Sequence, residues 1–150
     1  MSHLLPAEIL SGAGESLGIP GLRADAQGCC RLWFEPDLTL EIRHVAAQGR
    51  WLLSCTARGH RVVTAESLGL LLRANLLGAG FGGGWAGLDA QGALVLHLPV
   101  PASDMTPAAL VTAMEALLEH GERWSQRLAQ APASPSGADH GLMAAFAQRI

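Results

Sequence analysis

The sequence predicts an α+β fold: a twisted antiparallel sheet of about five strands packed with three helices, in the order α-β-β-β-α-β-β-α. Three observations carry that reading. Residues 38–45 alternate, with Leu38, Leu40 and Ile42 on one face and Thr39, Glu41 and Arg43 on the other, the pattern of a sheet with one wet face. Strand-like runs lie on either side of it, joined by links too short for a crossover, so the three form an antiparallel meander. Three longer segments, 3–17, 65–77 and one opening at Pro107, repeat apolar residues at helical spacing.

The first helix places Leu5, Ile9, Ala13 and Leu17 at four-residue steps with Leu10 beside them, and turns Glu8 and Glu15 outward. Gly18-Ile19-Pro20-Gly21 stops it. Asp25-Ala26-Gln27-Gly28 is a turn into a strand at about 29–35, and Pro36-Asp37 reverses the chain into the strand at 38–45. Ala46 to Gly49 turns again, and Trp51 to Ala57 is the third strand. Thr64 is a good N-cap for the helix 65–77. Strands follow at about 84–88 and 93–98, separated by Asp89-Ala90-Gln91-Gly92. The tetrapeptide Asp-Ala-Gln-Gly thus occurs at 25–28 and at 89–92, with different flanks, so one turn chemistry is used twice and no domain is duplicated. Thr106 caps and Pro107 opens the last helix, whose buried stripe is Leu110, Val111, Met114, Leu117, Leu118, Gly121, Trp124 and Leu128, with Glu119 and Arg123 as a supporting i,i+4 pair. Residues 1–130 read as one domain. Residues 131–150 read as an Ala/Pro/Ser/Gly linker and a short amphipathic helix from Leu142 to Ile150.

Composition narrows the function. The chain has 150 residues, 49% of them hydrophobic, enough for one domain with a real core. Net charge is −3, and the ten basic residues, all arginine, are scattered, so there is no basic stripe for nucleic acid or an anionic membrane. Cys29, Cys30 and Cys55 are an odd count with an adjacent pair, which suits a reducing cytosol better than a disulfide framework. Met1 to Pro6 lacks the charge and apolar run of a secretory leader, and no apolar run is long enough to span a membrane.

Gly78, Gly80 and Gly83 satisfy G-x-G-x-x-G. That fingerprint holds pyrophosphate only between a strand and a helix N-terminus. Here a helix precedes the glycines and a strand follows, so they are expected to serve a tight reversal and close backbone approach. The absence of lysine excludes a Walker-type loop. No catalytic constellation emerges either. Cys55 with His60, or Cys29 with His44, is the best nucleophile–base pairing available, yet Cys55 shares a strand face with Trp51 and Leu53 and reads as buried and inert. His3, His44, His60, His97, His120 and His140 have no zinc-type spacing. The sequence therefore predicts no enzyme, metal or cofactor.

What remains is apolar surface. On the helix 65–77, Glu66, Gly69 and Arg73 form one narrow polar wedge, and leucine and alanine fill most of the rest. A helix lying on one sheet needs an apolar stripe of roughly 100°; this one has about twice that. A second copy of the chain is the simplest cover. Strand 29–35 carries bulk on both faces, and the first helix spreads Leu4, Leu5, Ile9 and Leu10 over a wide arc, which points to a protein-binding surface.

Leu72-Arg73-Ala74-Asn75-Leu76-Leu77-Gly78, continued by Gly83-Gly84-Trp85-Ala86-Gly87-Leu88-Asp89, resembles a passage of the small type III secretion chaperones of the CesT (Tir chaperone) family. Leu94-Val95-Leu96, Glu119 to Trp124 and Leu17-Gly18-Ile19-Pro20 also fit. The resemblance spans roughly residues 5–128 and omits the tail; the Phe81-Gly-Gly-Gly run is richer in glycine than the family pattern. It implies a homodimer in the bacterial cytoplasm that binds the non-globular N-terminal segment of a secreted effector, without ATP or other cofactor, with the secretion ATPase as a further partner. It also implies a dimer contact on the second helix and the next strand, here Leu68, Leu71, Leu72, Leu76 and Trp85. The surplus apolar residues Leu5, Ile9, Leu10, Trp33, Leu38 and Leu40 are then left to meet the effector. Two other readings compete: an adaptor or regulatory dimer binding a folded partner, and a nucleotide-binding domain using the 78–84 loop.

Overall fold

A computed structural model describes residues 4–61 and 64–130, and leaves the side chains of His60 and Arg61 undescribed. The expected tail linker and the helix 142–150, with His3 and His140, lie outside the described residues. The elements are α1 (Pro6–Leu17), β1 (Cys29–Phe34), β2 (Leu38–Val45), β3 (Arg50–Arg61), α2 (Ala65–Ala74), β4 (Trp85–Leu88), β5 (Ala93–Pro101) and α3 (Pro107–Ala129). The five strands form one antiparallel sheet in the order β1-β2-β3-β5-β4. The expected element order holds throughout.

Register follows from alternation. Leu38, Leu40 and Ile42 stand opposite Ala57, Cys55 and Leu53, and Leu53, Cys55 and Ala57 stand opposite Leu98, Leu96 and Leu94. A slip of one residue would turn this whole set to water. Across that face lies α3, over β2, β3 and β5, with α1 packed along α3. Leu110, Met114, Leu117, Trp124 and Leu128 of α3 are buried against it, joined by Ile9, Leu10 and Ala13 of α1. Helix contact is close at Gly121, where a Cβ would lie 2.9 Å from Cys55 Sγ.

The opposite face is polar at its centre. Arg31 Nε meets Glu41 Oε1 at 2.7 Å across β1 and β2, and the Arg31 hydrogen bond holds the Glu41 carboxyl below its usual range. The repeated tetrapeptide folds the same way twice. Asp25 Oδ1 accepts the Gln27 and Cys29 amides at 2.9 and 3.0 Å; Asp89 Oδ1 accepts those of Gln91 and Ala93, both at 2.9 Å. Gly28 and Gly92 close the two turns at φ 74° and 78°, where a side chain would be strained.

Caps fix two of the helix starts. Thr64 Oγ1 accepts the Ser67 amide and Thr106 Oγ1 the Ala109 amide, both at 3.1 Å. Four boundaries differ from expectation by three residues or more, one being β5, which runs to Pro101 rather than 98. α1 begins at Pro6 rather than residue 3, with Leu5 as N-cap. β3 runs on to Arg61, past a register shift between Ala57 and Arg61; the Arg58 amide donates to the Asp37 carbonyl at 3.0 Å, which re-aims the strand as bulges do. α2 ends at Ala74 rather than 77. Two short 3₁₀ turns at Leu76–Phe81 follow, interrupted by Leu77 (φ 56°) and Gly78 (φ 68°) in left-handed backbone. An α-helix cannot continue through two such residues.

Candidate functional site

The site is built around Asn75, where α2 stops. The Asn75 amide donates to the Leu71 carbonyl at 3.0 Å, and its own carbonyl accepts from Gly78 at 3.1 Å. Its side chain reaches across to β4: Nδ2 donates to the Ala86 carbonyl at 3.0 Å and Oδ1 accepts the Ala86 amide at 2.7 Å. The end of α2 is thereby held alongside β4, one of the two edge strands of the sheet.

Exposed apolar side chains flank this pairing. Leu68, Leu72 and Leu76 lie on one stripe, at four-residue steps. Leu72 is 72% exposed, Leu76 70% and Leu77 95%, and Trp85 and Leu88 on β4 are also exposed. Leu77 combines near-complete exposure with left-handed backbone, a conformation that costs an ordinary residue about 1–2 kcal/mol. Four of the five residues expected at a dimer contact, Leu68, Leu72, Leu76 and Trp85, are on this surface. Leu71 is not: it is 5% exposed and packs into the subunit's own core, because it lies on the inner side of α2. Leu77 and Leu88 join the surface although neither is among the five residues expected at the contact. The signal missed for Leu77 is the glycine beside it, which lets the chain turn left-handed and swing its side chain outward.

The glycines between these elements are consumed internally. A Cβ on Gly80 would lie 2.6 Å from Ala74 Cβ, and one on Gly78 2.9 Å from the Gly84 carbonyl oxygen. Strand β4 follows, not a helix, so no helix N-terminus faces a phosphate. Phe81 pins the loop: it is buried, its ring lies 5.0 Å from that of Trp124, and Trp124 Nε1 donates to the Gly80 carbonyl at 3.1 Å.

Away from β4, two adjoining pockets share the β1–β2 turn. One, of about 330 Å³, is lined by Trp33, Phe34, Thr39 and Arg58. The other, of about 390 Å³, reaches Gly59 and Glu122, Ser125 and Gln126 of α3. Both include Pro36, Asp37 and Leu38. Trp33 is 75% exposed at the mouth, and Leu5 is exposed at the start of α1. Ile9, Leu10, Leu38 and Leu40, expected to contact an effector, are instead core residues, none more than 6% exposed. α3 and α1 already cover the face they occupy. Periodicity identified that face as apolar but could not tell an internal cover from an external one.

The three cysteines are poorly set up as nucleophiles. Burial pushes the Cys55 thiol up to about 12, and burial is the largest cause raising Cys29 and Cys30, so the thiolates a nucleophile needs are suppressed. No group of three or more metal-type ligands occurs among the described residues. No helix among them is long and apolar enough to cross a membrane. His97 stacks on Trp85 at 5.4 Å and its Nδ1 lies 2.8 Å from Ser54 Oγ; burial lowers its pKa from 6.5. His120 is lowered for the same first cause. A histidine with a depressed folded pKa takes up its proton more readily when unfolded. Its stability contribution is therefore complete above pH 6.5 and is lost as pH falls toward the folded value. His97→Gln should flatten the decline in thermal midpoint between about pH 7 and pH 5, measured by circular dichroism; an unchanged slope would assign the decline elsewhere.

The model of the Tir chaperone protein (CesT) family matches residues 8–125, and the chain belongs to that family. The fold agrees with solved structures. The ExsC–ExsE complex gives a TM-score of 0.72 at 23% identity, covering 83% of this chain and 93% of that one. The HopA1–SchA chaperone–effector complex gives 0.67 at 24%, covering 79% and 91%. The Yersinia pestis type III secretion chaperone SycH, in complex with a fragment of YscM2, gives 0.65 at 14%, covering 79% and 98%. No curated protein matches the sequence.

Proposed function

We propose that this chain is a type III secretion chaperone that dimerises through the α2–β4 surface and holds the non-globular N-terminal segment of a secreted effector in the bacterial cytoplasm. The observation that carries the proposal is the exposed stripe of Leu68, Leu72 and Leu76, with Leu77 beside it, on a subunit whose core is already filled. Removing one large apolar side chain from water is worth about 1.5–3 kcal/mol, and twofold pairing uses each residue twice. That sum is large enough to meet an association cost of roughly 4–15 kcal/mol.

The second surface suits an extended client. β1 is an outer strand of the sheet, and an added strand would find backbone partners there. The Trp33 groove beside it can take side chains from the same segment. A non-globular chain loses entropy on binding and needs a broad surface to offset it. Binding of this kind uses no nucleotide, in keeping with the internal role of the glycines.

Co-expression with candidate effectors should yield a complex of two chaperones per effector, read by light scattering. Trp33→Ala should weaken capture of the effector by roughly tenfold or more, as for a central aromatic anchor, without changing the mass of the free protein. A free protein that is monomeric at micromolar concentration would end the proposal.

A further inference from the structure

We propose that Asn75 is the positioning residue of the α2–β4 surface: its side-chain amide acts as a one-residue strand on the edge of β4 and so sets the apolar residues on either side of it. An amide side chain offers one donor and one acceptor in a plane, as a peptide unit does. Asn75 uses both on Ala86, at 3.0 and 2.7 Å, which is the reciprocal exchange two antiparallel strands make. Ala86 is opposite Leu96 on β5, so its outward backbone groups would otherwise lack a strand partner. The same residue's backbone closes α2 and opens the next turn through Leu71 and Gly78. Four hydrogen bonds thus converge on one residue between Leu72 and Leu76 on one side and Trp85 on the other. Downstream, the Gly83 amide donates to the Gly78 carbonyl at 3.1 Å, so the loop carrying Leu77 is anchored to the residue that Asn75 holds.

Residue choice is narrow. Gln would set the amide one methylene too far. Asp has the same shape but, ionised, has no donor for the Ala86 carbonyl and places a charge against it. What the surface binds rests on the proposed function; how it is held does not.

The test compares the full chain with Asn75→Ala and with Asn75→Asp, a change of chemistry at constant shape. Amide hydrogen exchange is followed at Ala86, Gly78 and Gly83, with Leu53 and Cys55 of β3 as internal controls, and self-association is followed by analytical ultracentrifugation. Asn75→Ala should exchange at least about tenfold faster at all three surface amides (about 1.4 kcal/mol of local opening), and Asn75→Asp, which keeps an acceptor for the Ala86 amide but loses the donor to its carbonyl, should do so at Gly78 and Gly83, while the β3 amides are unchanged in both. In both, the dissociation constant of the dimer should rise about tenfold or more. In the unmodified chain the Asn75 side-chain NH₂ should itself exchange slowly. The inference is overturned if Asn75→Asp exchanges and associates as the unmodified chain does, or if Ala86 alone is affected. It is also overturned if both variants fail to fold, since the pairing would then hold the domain and not the surface. If the unmodified chain proves monomeric, the proposed function fails while the exchange measurements still decide the role of Asn75.

Discussion

Leu72→Glu should convert the protein to a folded monomer. Leu72 is 72% exposed in the subunit, so its replacement removes little that the fold needs, and a surface change of this sort shifts stability by about 0.5 kcal/mol or less. In the proposed pair, the same position would face its mate. A carboxylate there would be buried without a partner, which costs about 3–5 kcal/mol, and twofold symmetry brings two such charges into one interface. The dissociation constant should rise by at least about 100-fold, or roughly 2.7 kcal/mol. Light scattering at tens of micromolar should give the mass of one chain, with an unfolding midpoint near that of the unmodified subunit. A dimer of undiminished affinity would move the self-association surface away from α2.

Phe81→Ala should be the most damaging change to the subunit itself. Phe81 is 1% exposed and joins α2 and its trailing loop to Trp124 on α3. Emptying a buried aromatic site costs about 3–5 kcal/mol, a large share of the roughly 5–15 kcal/mol that holds a domain of this kind. The loss falls on one seam. α2 contacts the rest of the subunit sparsely, mostly through the 76–81 turns, so the loop should loosen before the α1–α3 layer does. Denaturant titration should show a lower midpoint. Trp124 loses its aromatic neighbour, and its fluorescence should redden before the far-ultraviolet signal falls. Coincident transitions at the original midpoint would show that Phe81 is not the pin.

Much of this arrangement was legible in the residues. The alternation of Leu38, Leu40 and Ile42 gives both the buried face and its register, since a strand's side chains repeat every two residues. Thr64 and Thr106 announce their helices because a hydroxyl at that position has one obvious use. The twin Asp-Ala-Gln-Gly turns could be read as one device because the Asp–Gly spacing closes the same hydrogen bonds wherever it occurs. Apolar excess on α2 likewise identified a surface that one subunit leaves open.

The rest depends on contacts distant in sequence. Leu71 and Leu72 are the same residue type in adjacent positions, and only the core beneath α2 decides which is hidden. Nothing in β2 reveals that α3, some seventy residues later, covers Leu38 and Leu40 and closes them to a client. Leucine favours helix, so Leu76 and Leu77 read as a continuation of α2. Asn75 has committed its amide to a strand eleven residues on, which local propensity does not record. β3 overran its expected end because the Asp37 carbonyl receives the Arg58 amide, a bond between two segments that share no pattern.

The three sealed sulfhydryls have a practical corollary. Cys29, Cys30 and Cys55 are each 2% exposed or less, so a maleimide dye added to the native protein finds them shielded. A single cysteine introduced on the surface would carry the only readily labelled site. The native trio, spread over β1 and β3, would become reactive only when those strands part. The molecule therefore carries its own built-in alarm for unfolding, silent while intact.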